Sequence, residues 1–376
     1  MARTSASRRW CSTTSESVPH KRTRAGNIRP SFFRECKGLA AFACIIASAH
    51  YHSTAPLQSA RALPALASPG ALVGPLGDTG GDLENEAWTP LDLLKRTADY
   101  FAKHGVEEPR LDAELLLAKA LGVERIMLYA GFERVITPRE VSAFREFVRE
   151  RARGRPAKYI IGQTEFFSLP FKVDARVLIP RPETELLVER CLAILADRVL
   201  EEFPLVVELG TGSGAIIVSL AKSFPDAAYV ATDVAAGALE VARANAQANG
   251  VGEKIEFLAG DLFDPLATMG LEGKLDVLVS NPPYVAEAGW AKLPREIRDF
   301  EPKAALVAGP RGTEVHERIL EGATIFVRSG GVLLMEMDNG QREALAASVA
   351  RFSEYGAPRF HQDYARLWRV MEVQRL

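Results

Sequence analysis

The stretch at residues 205–214, LVVELGTGSG, decides the fold class of this chain. Its first half is an apolar run that predicts a buried β-strand, and the segment 215–221, AIIVSLA, predicts the helix that follows. Glycines between a strand and a helix let the backbone turn tightly and approach a ligand closely, where a Cβ would collide. We therefore predict an α/β fold with a ligand at this loop.

Strand and helix patterns alternate outward from this loop to about residue 355. Further strands are predicted at 228–232, 255–259 and 275–279, each of them apolar and followed by turn residues. Such alternation is typical of a doubly wound parallel sheet. We therefore predict a Rossmann-like sheet domain over residues 181–376.

An acid stands at the end of the second predicted strand. Asp233 lies about 20 residues beyond Gly210, where a carboxylate can accept both ribose hydroxyls of an adenosine. NAD-binding folds share this arrangement. The G-x-G-x-G spacing and the preceding acid Glu208 favour S-adenosylmethionine instead, because a carboxylate repels a pyrophosphate and attracts an ammonium or a sulfonium. A nicotinamide dinucleotide is the alternative cofactor.

The third predicted strand ends in a second acidic turn. Asp261 can accept a hydrogen bond from the adenine amino group, with Leu262 or Phe263 against the ring. The alternative is that Asp261 caps the next helix. The predicted cofactor-binding residues are Glu208, Gly210, Thr211, Gly212, Ser213, Gly214, Asp233, Asp261, Leu262 and Asn281.

The fourth predicted strand runs into Asn281-Pro282-Pro283-Tyr284, which we predict to be the catalytic loop. An amide nitrogen is a poor nucleophile, but fixed acceptors for its N–H groups can hold it and favour positive charge on it. The Asn281 side-chain carbonyl and the Pro282 backbone carbonyl are two such acceptors. Neither proline carries a competing N–H, and Tyr284 can pack on a planar amide. This pattern predicts methylation of an amide or amine nitrogen; the alternative is a plain strand terminator.

Two further segments precede the sheet domain. Apolar residues recur at helical spacing over 85–155, which predicts a small helical domain. Short β-rich pieces at 159–161, 164–167 and 171–173 are bounded by glycine or proline, and they predict a β-hairpin connector over 156–180.

Residues 1–84 are predicted to be a targeting leader and linker. The first 77 residues contain only two acids, Glu16 and Glu35, among many bases, which is typical of organelle transit peptides. The apolar run 38–49 is too short to span a membrane and resembles a signal h-region, with an A-x-A cleavage site at 47–49. We expect an organellar protein, in a plastid rather than a mitochondrion, with no membrane span after processing. An unprocessed tail is the alternative.

Composition argues against several other classes of protein. The net charge of -2 provides no general attraction to a nucleic-acid backbone. The four cysteines include no C-x-x-C pair, so the sequence predicts neither a disulfide framework nor a zinc site, and we expect no metal.

Beyond the leader, the chain resembles the HemK/PrmC family of peptide chain release factor glutamine N5-methyltransferases. The likeness covers about residues 88–374. The motifs that carry it are LDAELL at 111–116, IPRPETE at 179–185, ELGTGSG at 208–214, NPPY at 281–284 and FEP at 300–302. The NPPY motif alone is shared with nucleic-acid adenine and guanine N-methyltransferases, which are the alternative enzyme class.

The resemblance implies a class I S-adenosylmethionine-dependent methyltransferase sheet with a small N-terminal helical domain. It implies that residues 281–284 hold the glutamine of the GGQ motif of a class I release factor, and that the helical domain docks that protein. Arg181 and Glu183 would form part of the active-site wall, with a buried structural pair as the alternative. The sequence departs from the family at Arg366, where a glycine is usual, which affects the last hairpin and not the predicted chemistry.

Overall fold

The computed structural model describes residues 88–130, 134–197 and 203–376, which fall in one structural unit. The predicted leader at 1–84 lies outside the described residues. Within them, no helix is both long enough and apolar enough to cross a membrane. A helical domain comes first, followed by a hairpin and a sheet domain.

The helical domain consists of five helices among the described residues. Two of them begin at capping boxes, in which Thr89 pairs with Asp92 and Thr137 with Glu140, and each has a proline in its first turn. Their apolar faces bury a core around Phe101. The helices are α1 (Pro90–Lys103), α2 (Pro109–Leu121), α3 (Met127–Ala130), α4 (Pro138–Ala152) and α5 (Ala157–Ile161).

The connector contains one hairpin, formed by β1 (Gln163–Phe166) and β2 (Leu169–Lys172). The predicted strand at 159–161 is wrong, because these residues lie in α5, which ends at Gly162 in the left-handed conformation. A short apolar run fits a buried strand and a buried helical turn equally well. Here the Tyr159 side chain is buried and its hydroxyl donates to the Val177 carbonyl, and these contacts favour the helix.

The sheet domain contains a seven-stranded sheet. Its strands are β3 (Leu205–Leu209), β4 (Ala228–Asp233), β5 (Ile255–Ala259), β6 (Leu275–Ser280), β9 (Val327–Glu336), β10 (Arg359–Gln362) and β11 (Trp368–Gln374). Two short parallel strands, β7 (Val285–Ala286) and β8 (Val307–Gly309), pair outside it. Its helices are α6 (Glu185–Asp197), α7 (Ala215–Ser223), α8 (Ala236–Ala248), α9 (Asp264–Thr268), α10 (Arg295–Phe300), α11 (Glu314–Phe326) and α12 (Arg342–Val349).

The strand order is β10-β11-β9-β6-β3-β4-β5. The five strands from β9 to β5 are parallel, as predicted, and the sheet is mixed because β11 joins β9 antiparallel and β10 follows it. Parallel strands end at the same edge, so the loops after β3, β4, β5, β6 and β9 meet there. All the predicted cofactor and catalytic residues lie at this edge.

The closing hairpin forms despite the residue at its turn. Arg366 has a φ of +61°, in the left-handed region that favours glycine. The Asp363 carboxylate holds the turn, because it accepts from the Leu367 N–H at 2.9 Å and from Arg369 Nε at 2.9 Å. The turn therefore retains its geometry at the cost of one strained residue.

We expect Arg366→Gly to raise the free energy of unfolding by about 0.5–1 kcal/mol, because a left-handed residue with a Cβ costs roughly 1–2 kcal/mol and glycine loses part of that gain as entropy. Urea denaturation measures the change. Arg366→Ala is the matched control: it retains the Cβ and removes the charged side chain, so its stability should stay near that of the wild type. A stabilised alanine variant would contradict the backbone explanation.

Candidate active site

The glycine loop between β3 and α7 takes the geometry that only glycines adopt without strain. Gly210, Gly212 and Gly214 have φ of +71°, +54° and +80°. A Cβ on Gly214 would also come within 3.2 Å of the Ala242 side chain in α8. The third glycine therefore allows close packing of the loop against α8, and the first two let the backbone turn at the edge of the sheet.

Glu208 is a fully buried carboxyl beneath this loop. It accepts hydrogen bonds from the Thr211 hydroxyl at 2.6 Å and from the Ile217 N–H at 3.1 Å, in the first turn of α7. Burial raises the pKa of Glu208 to about 8, although both hydrogen bonds oppose the shift. A cation bound beside Glu208 would favour the ionised form of this carboxyl.

Asp233, at the end of β4, faces the same loop. One carboxylate oxygen accepts the Gly212 N–H at 2.8 Å and the other accepts the Ala235 N–H at 2.8 Å. Each oxygen has a further lone pair. Burial raises the pKa of Asp233, and its two backbone hydrogen bonds oppose that rise. The carboxylate is thus held in place with acceptor capacity left toward the cavity that it lines.

The sequence left two points open at the turn after β5: whether Asp261 caps the next helix, and which of Leu262 and Phe263 lies toward the ligand. The Asp261 carboxylate accepts from Arg318 Nη2 at 2.6 Å, and α9 begins without a side-chain cap, so Asp261 does not cap that helix. Phe263 stacks on Phe326 with ring centroids 5.0 Å apart, away from the cavity, whereas Leu262 lines it. Of the two residues predicted to lie against the adenine, only Leu262 lines the cavity.

The predicted catalytic loop follows β6. Asn281 Nδ2 donates to the Thr184 hydroxyl at 3.2 Å. The side-chain carbonyl of Asn281 takes no part in that hydrogen bond. Asn281 and Pro283 line the cavity, whereas Pro282 and Tyr284 lie outside its lining. The Tyr284 carbonyl accepts from Gln341 Nε2 at 3.0 Å, and its hydroxyl lies 3.5 Å from Glu336 Oε1. These contacts fix the loop from its far side.

Arg181 and Glu183 do not form a pair with each other. Arg181 Nη2 donates to Glu301 Oε1 at 2.6 Å, and the other oxygen of Glu301 accepts the Ile179 N–H at 3.3 Å. The Glu301 side chain is only 1% exposed. The structural pair is therefore Arg181–Glu301, and neither Arg181 nor Glu183 lies in the cavity lining.

These elements enclose a cavity of about 370 Å³. Most of the predicted residues meet in it: Glu208, the loop 210–213, Asp233, Asp261, Leu262, Asn281 and Pro283. The lining also contains Arg176 and Arg318, which pair with Asp174, Glu240 and Asp261. Glu208 and Asp233 are the acids left to favour a cationic adenosine compound over a pyrophosphate. Within the part of the chain that the structure describes, no three His, Cys, Asp or Glu side chains are grouped to hold a metal ion.

Sequence reasoning missed several residues at this site. Thr184 and Glu301 lie inside motifs that carry the family resemblance. The sequence therefore marked these positions but did not identify the residues to which they hydrogen-bond. Arg318 had no sequence signal, since it reaches the cavity from α11, far along the chain.

Both the helical domain and the sheet domain match families of known proteins. Residues 92–162 match the PrmC N-terminal domain and residues 184–296 match the Methyltransferase small domain. A release factor glutamine methyltransferase from Chlorobaculum tepidum is 44% identical over 287 residues, which are 76% of this chain and 96% of that protein. Proteins of the same description from Rhodopirellula baltica and Geobacter sulfurreducens are 42% and 38% identical and cover 77% and 71% of this chain and 97% and 90% of their own lengths.

The raised pKa of Glu208 predicts that S-adenosylmethionine binding depends on pH. In the free protein the carboxyl is protonated below about 8, whereas a bound cation favours its ionised form, so binding releases a proton. The affinity should therefore fall as pH decreases, by up to about tenfold per unit. Calorimetry in buffers of different ionisation enthalpy measures this proton release.

Glu208→Gln is the matched control, because it keeps an acceptor for Thr211 but has no carboxyl to ionise. The ligand's own amino group titrates equally in both proteins, so the difference between their pH profiles isolates Glu208. Equal profiles would contradict the assignment.

Proposed function

This chain belongs to the family of release factor glutamine methyltransferases, and we propose that it methylates the side-chain amide nitrogen of the glutamine in the GGQ motif of a class I peptide chain release factor. It is an S-adenosylmethionine-dependent methyltransferase. The proposal concerns the substrate, the residues that act on it and the compartment in which the enzyme works.

The observation that carries the proposal is the orientation of Asn281. Its NH₂ group donates to Thr184, so its carbonyl oxygen is the part of the amide left for a substrate in the cavity that Asn281 lines. A primary amide nitrogen offers two N–H donors. We propose that the Asn281 carbonyl accepts one of them and the Pro282 carbonyl, although Pro282 lies outside the cavity lining, accepts the other. Both contacts would hold the nitrogen and favour positive charge on it during methyl transfer.

S-adenosylmethionine supplies the methyl group, and this chain supplies binding and orientation. We assign Asp233 to the ribose, Asp261 and Leu262 to the adenine, and Glu208 to the cationic end of the cofactor. Tyr284 does not line this cavity, and we propose that it packs against the target amide outside it. The methylated nitrogen is strongly acidic and loses its proton to water, so the loop needs no base.

The helical domain is well placed to dock the release factor because it is fixed to the segment behind the catalytic loop. Arg151 of α4 is buried and pairs with Asp112 of α2 at 2.5 Å and with Glu296 of α10 at 2.6 Å. A protein held by the helical domain would thus be held at a set distance from the loop. Arg181 and Glu183 stand on the connecting segment, and we propose that they contact the GGQ loop.

We further propose that the release factor is organellar, of a plastid rather than a mitochondrion, on the basic composition of residues 1–84. A fluorescent protein fused after residue 84 should enter the organelle, and the mature enzyme should lack residues 1–49. A fusion that stays in the cytosol would contradict this localisation.

Asn281→Ala should bind S-adenosylmethionine almost normally but lose about 10²–10³-fold in turnover on a GGQ-bearing release factor, by analogy with the loss of one preorganised oxyanion-hole donor. Transfer of tritiated methyl groups measures turnover, and calorimetry measures cofactor affinity. Asn281→Asp retains an acceptor but adds a charge and removes the NH₂ that Thr184 accepts, so it should also be slow.

The control substrate is the same release factor with the GGQ glutamine changed to alanine, which should take up no label. Labelling of that control would contradict the proposed target. A wild-type enzyme that ignores the release factor and labels DNA or RNA would establish the alternative class, an adenine or guanine N-methyltransferase.

A further inference from the structure

Thr232 joins two of the loops that line the cavity. It precedes Asp233 near the end of β4, and it is fully buried. Its backbone carbonyl accepts the N–H groups of Gly210 and Thr211 in the glycine loop, at 2.9 and 3.0 Å. Its side-chain hydroxyl donates to the Leu262 carbonyl in the turn after β5, at 3.1 Å. Thr232 does not line the cavity, so it does not contact a ligand there.

Leu262 has a strained backbone. Its φ is +45°, in the left-handed region where a Cβ costs free energy. The other non-glycine residues that share this region, within the part of the chain that the structure describes, lie in the turns of the two hairpins: Phe167, Ser168 and Arg366. Leu262 lies in no hairpin, and it lines the cavity. A strained residue at a ligand site persists only where the surrounding structure holds it.

The Thr232 hydroxyl is the contact that holds Leu262 in this conformation. If Leu262 relaxed to the right-handed region, the peptide group after it would rotate and its carbonyl would turn away from Thr232. A fully buried hydroxyl would then lose its acceptor, which costs free energy as well. The hydrogen bond therefore opposes the relaxation of the backbone.

The conformation of this turn determines where Asp261 and Leu262 point. The Asp261 Oδ2 atom accepts from Arg318 Nη2 at 2.6 Å, which leaves the other oxygen for a ligand. Adenine carries an amino group that can donate to such an oxygen. Hypoxanthine carries an oxygen at the same position, and a fixed carboxylate repels it. A turn that is held in place can therefore select adenine over hypoxanthine.

We infer that Thr232 is a positioning residue, which holds Leu262 in its left-handed conformation and thereby makes the site selective for adenine. This role rests on the proposed function and deepens it, because the assignment of Asp261 and Leu262 to the adenine is part of that proposal. Thr232 acts through the turn and has no contact with the cofactor.

The test compares Thr232→Val and Thr232→Ser with the wild type in full-length enzyme. Calorimetry measures the Kd of S-adenosylhomocysteine and the Kd of its analogue in which hypoxanthine replaces adenine. Thr232→Val retains the branched shape and the strand carbonyl but removes the hydroxyl. Its affinity for S-adenosylhomocysteine should fall about tenfold, and its preference for adenine over hypoxanthine should be largely lost.

Thr232→Ser retains the hydroxyl and should keep most of the preference for adenine. A role in packing alone predicts the reverse order, because serine lacks the methyl group that valine retains. Packing alone also predicts equal losses of affinity for the two ligands. A preference for adenine that stays at the wild-type level in Thr232→Val would overturn the inference.

Two further variants serve as controls. Thr164→Val is the matched control, because Thr164 is a buried threonine in strand β1 that does not line the cavity, and both Kd values should stay unchanged. Asp261→Asn is the positive control. An asparagine amide can accept from adenine or donate to hypoxanthine, so this variant should lose the preference while Thr232 is intact.

A crystal structure of Thr232→Val provides a direct measurement of the backbone. Leu262 should relax to a negative φ once the hydroxyl is gone. A Leu262 that keeps its left-handed conformation in this variant would show that the Thr232 hydroxyl does not hold it, and the inference would be wrong.

These measurements use no release factor, so they separate the inference from the proposed substrate. If the enzyme methylates no release factor yet Thr232→Val loses the preference for adenine, the proposed substrate is wrong and the positioning role stands. If Asp261→Asn loses the preference and Thr232→Val keeps it, the adenine assignment stands and the positioning role is wrong. If the wild type binds both ligands equally, the adenine assignment is wrong and the positioning role falls with it.

Discussion

The parallel pairing of β3 with β6 is the constraint on which the site depends. Leu209 and Ser280 are register partners at the ends of these strands, and the Ser280 hydroxyl donates to the Leu209 carbonyl at 2.8 Å. The glycine loop follows one strand end and the catalytic loop follows the other. A cofactor on the first loop therefore lies beside the amide acceptors of the second, with no further element needed to align them.

The buried acids at this edge of the sheet reduce the stability of the fold at neutral pH, as is common for residues at functional sites. The carboxyls of Glu208 and Glu336 have pKa values raised to about 8 and about 7, mainly by burial. The folded protein therefore binds protons that the unfolded chain releases above the ordinary glutamate value of about 4.3. These two groups contribute most to the free energy of unfolding below a pH of about 4.3. Their contribution is lost as the pH rises through the pKa values that they have in the folded protein. Ligands that favour the ionised carboxyls oppose this loss.

The sequence predicted the parts of the fold and site that are encoded locally. The strand ends at Asp233 and Asn281 follow from apolar runs with turn residues, and the glycine spacing gives the loop between β3 and α7. The contacts that hold these parts join distant positions, such as Thr184 with Asn281, and no local pattern specifies them. The helix at 157–161 was missed for a related reason, because its burial against distant residues decides between two conformations that its own residues permit.

The buried Arg151 contributes a consequence for how such enzymes can be recombined. Its guanidinium is neutralised by one acid from the helical domain, Asp112, and by one from the sheet domain, Glu296. A chimera whose incoming domain lacks the matching charged residue would leave a buried cation short of a partner, or an acid without its cation, and either defect is strongly destabilising. An exchanged domain must therefore supply the same charged partner at this border if the pairing of Arg151 is to be kept.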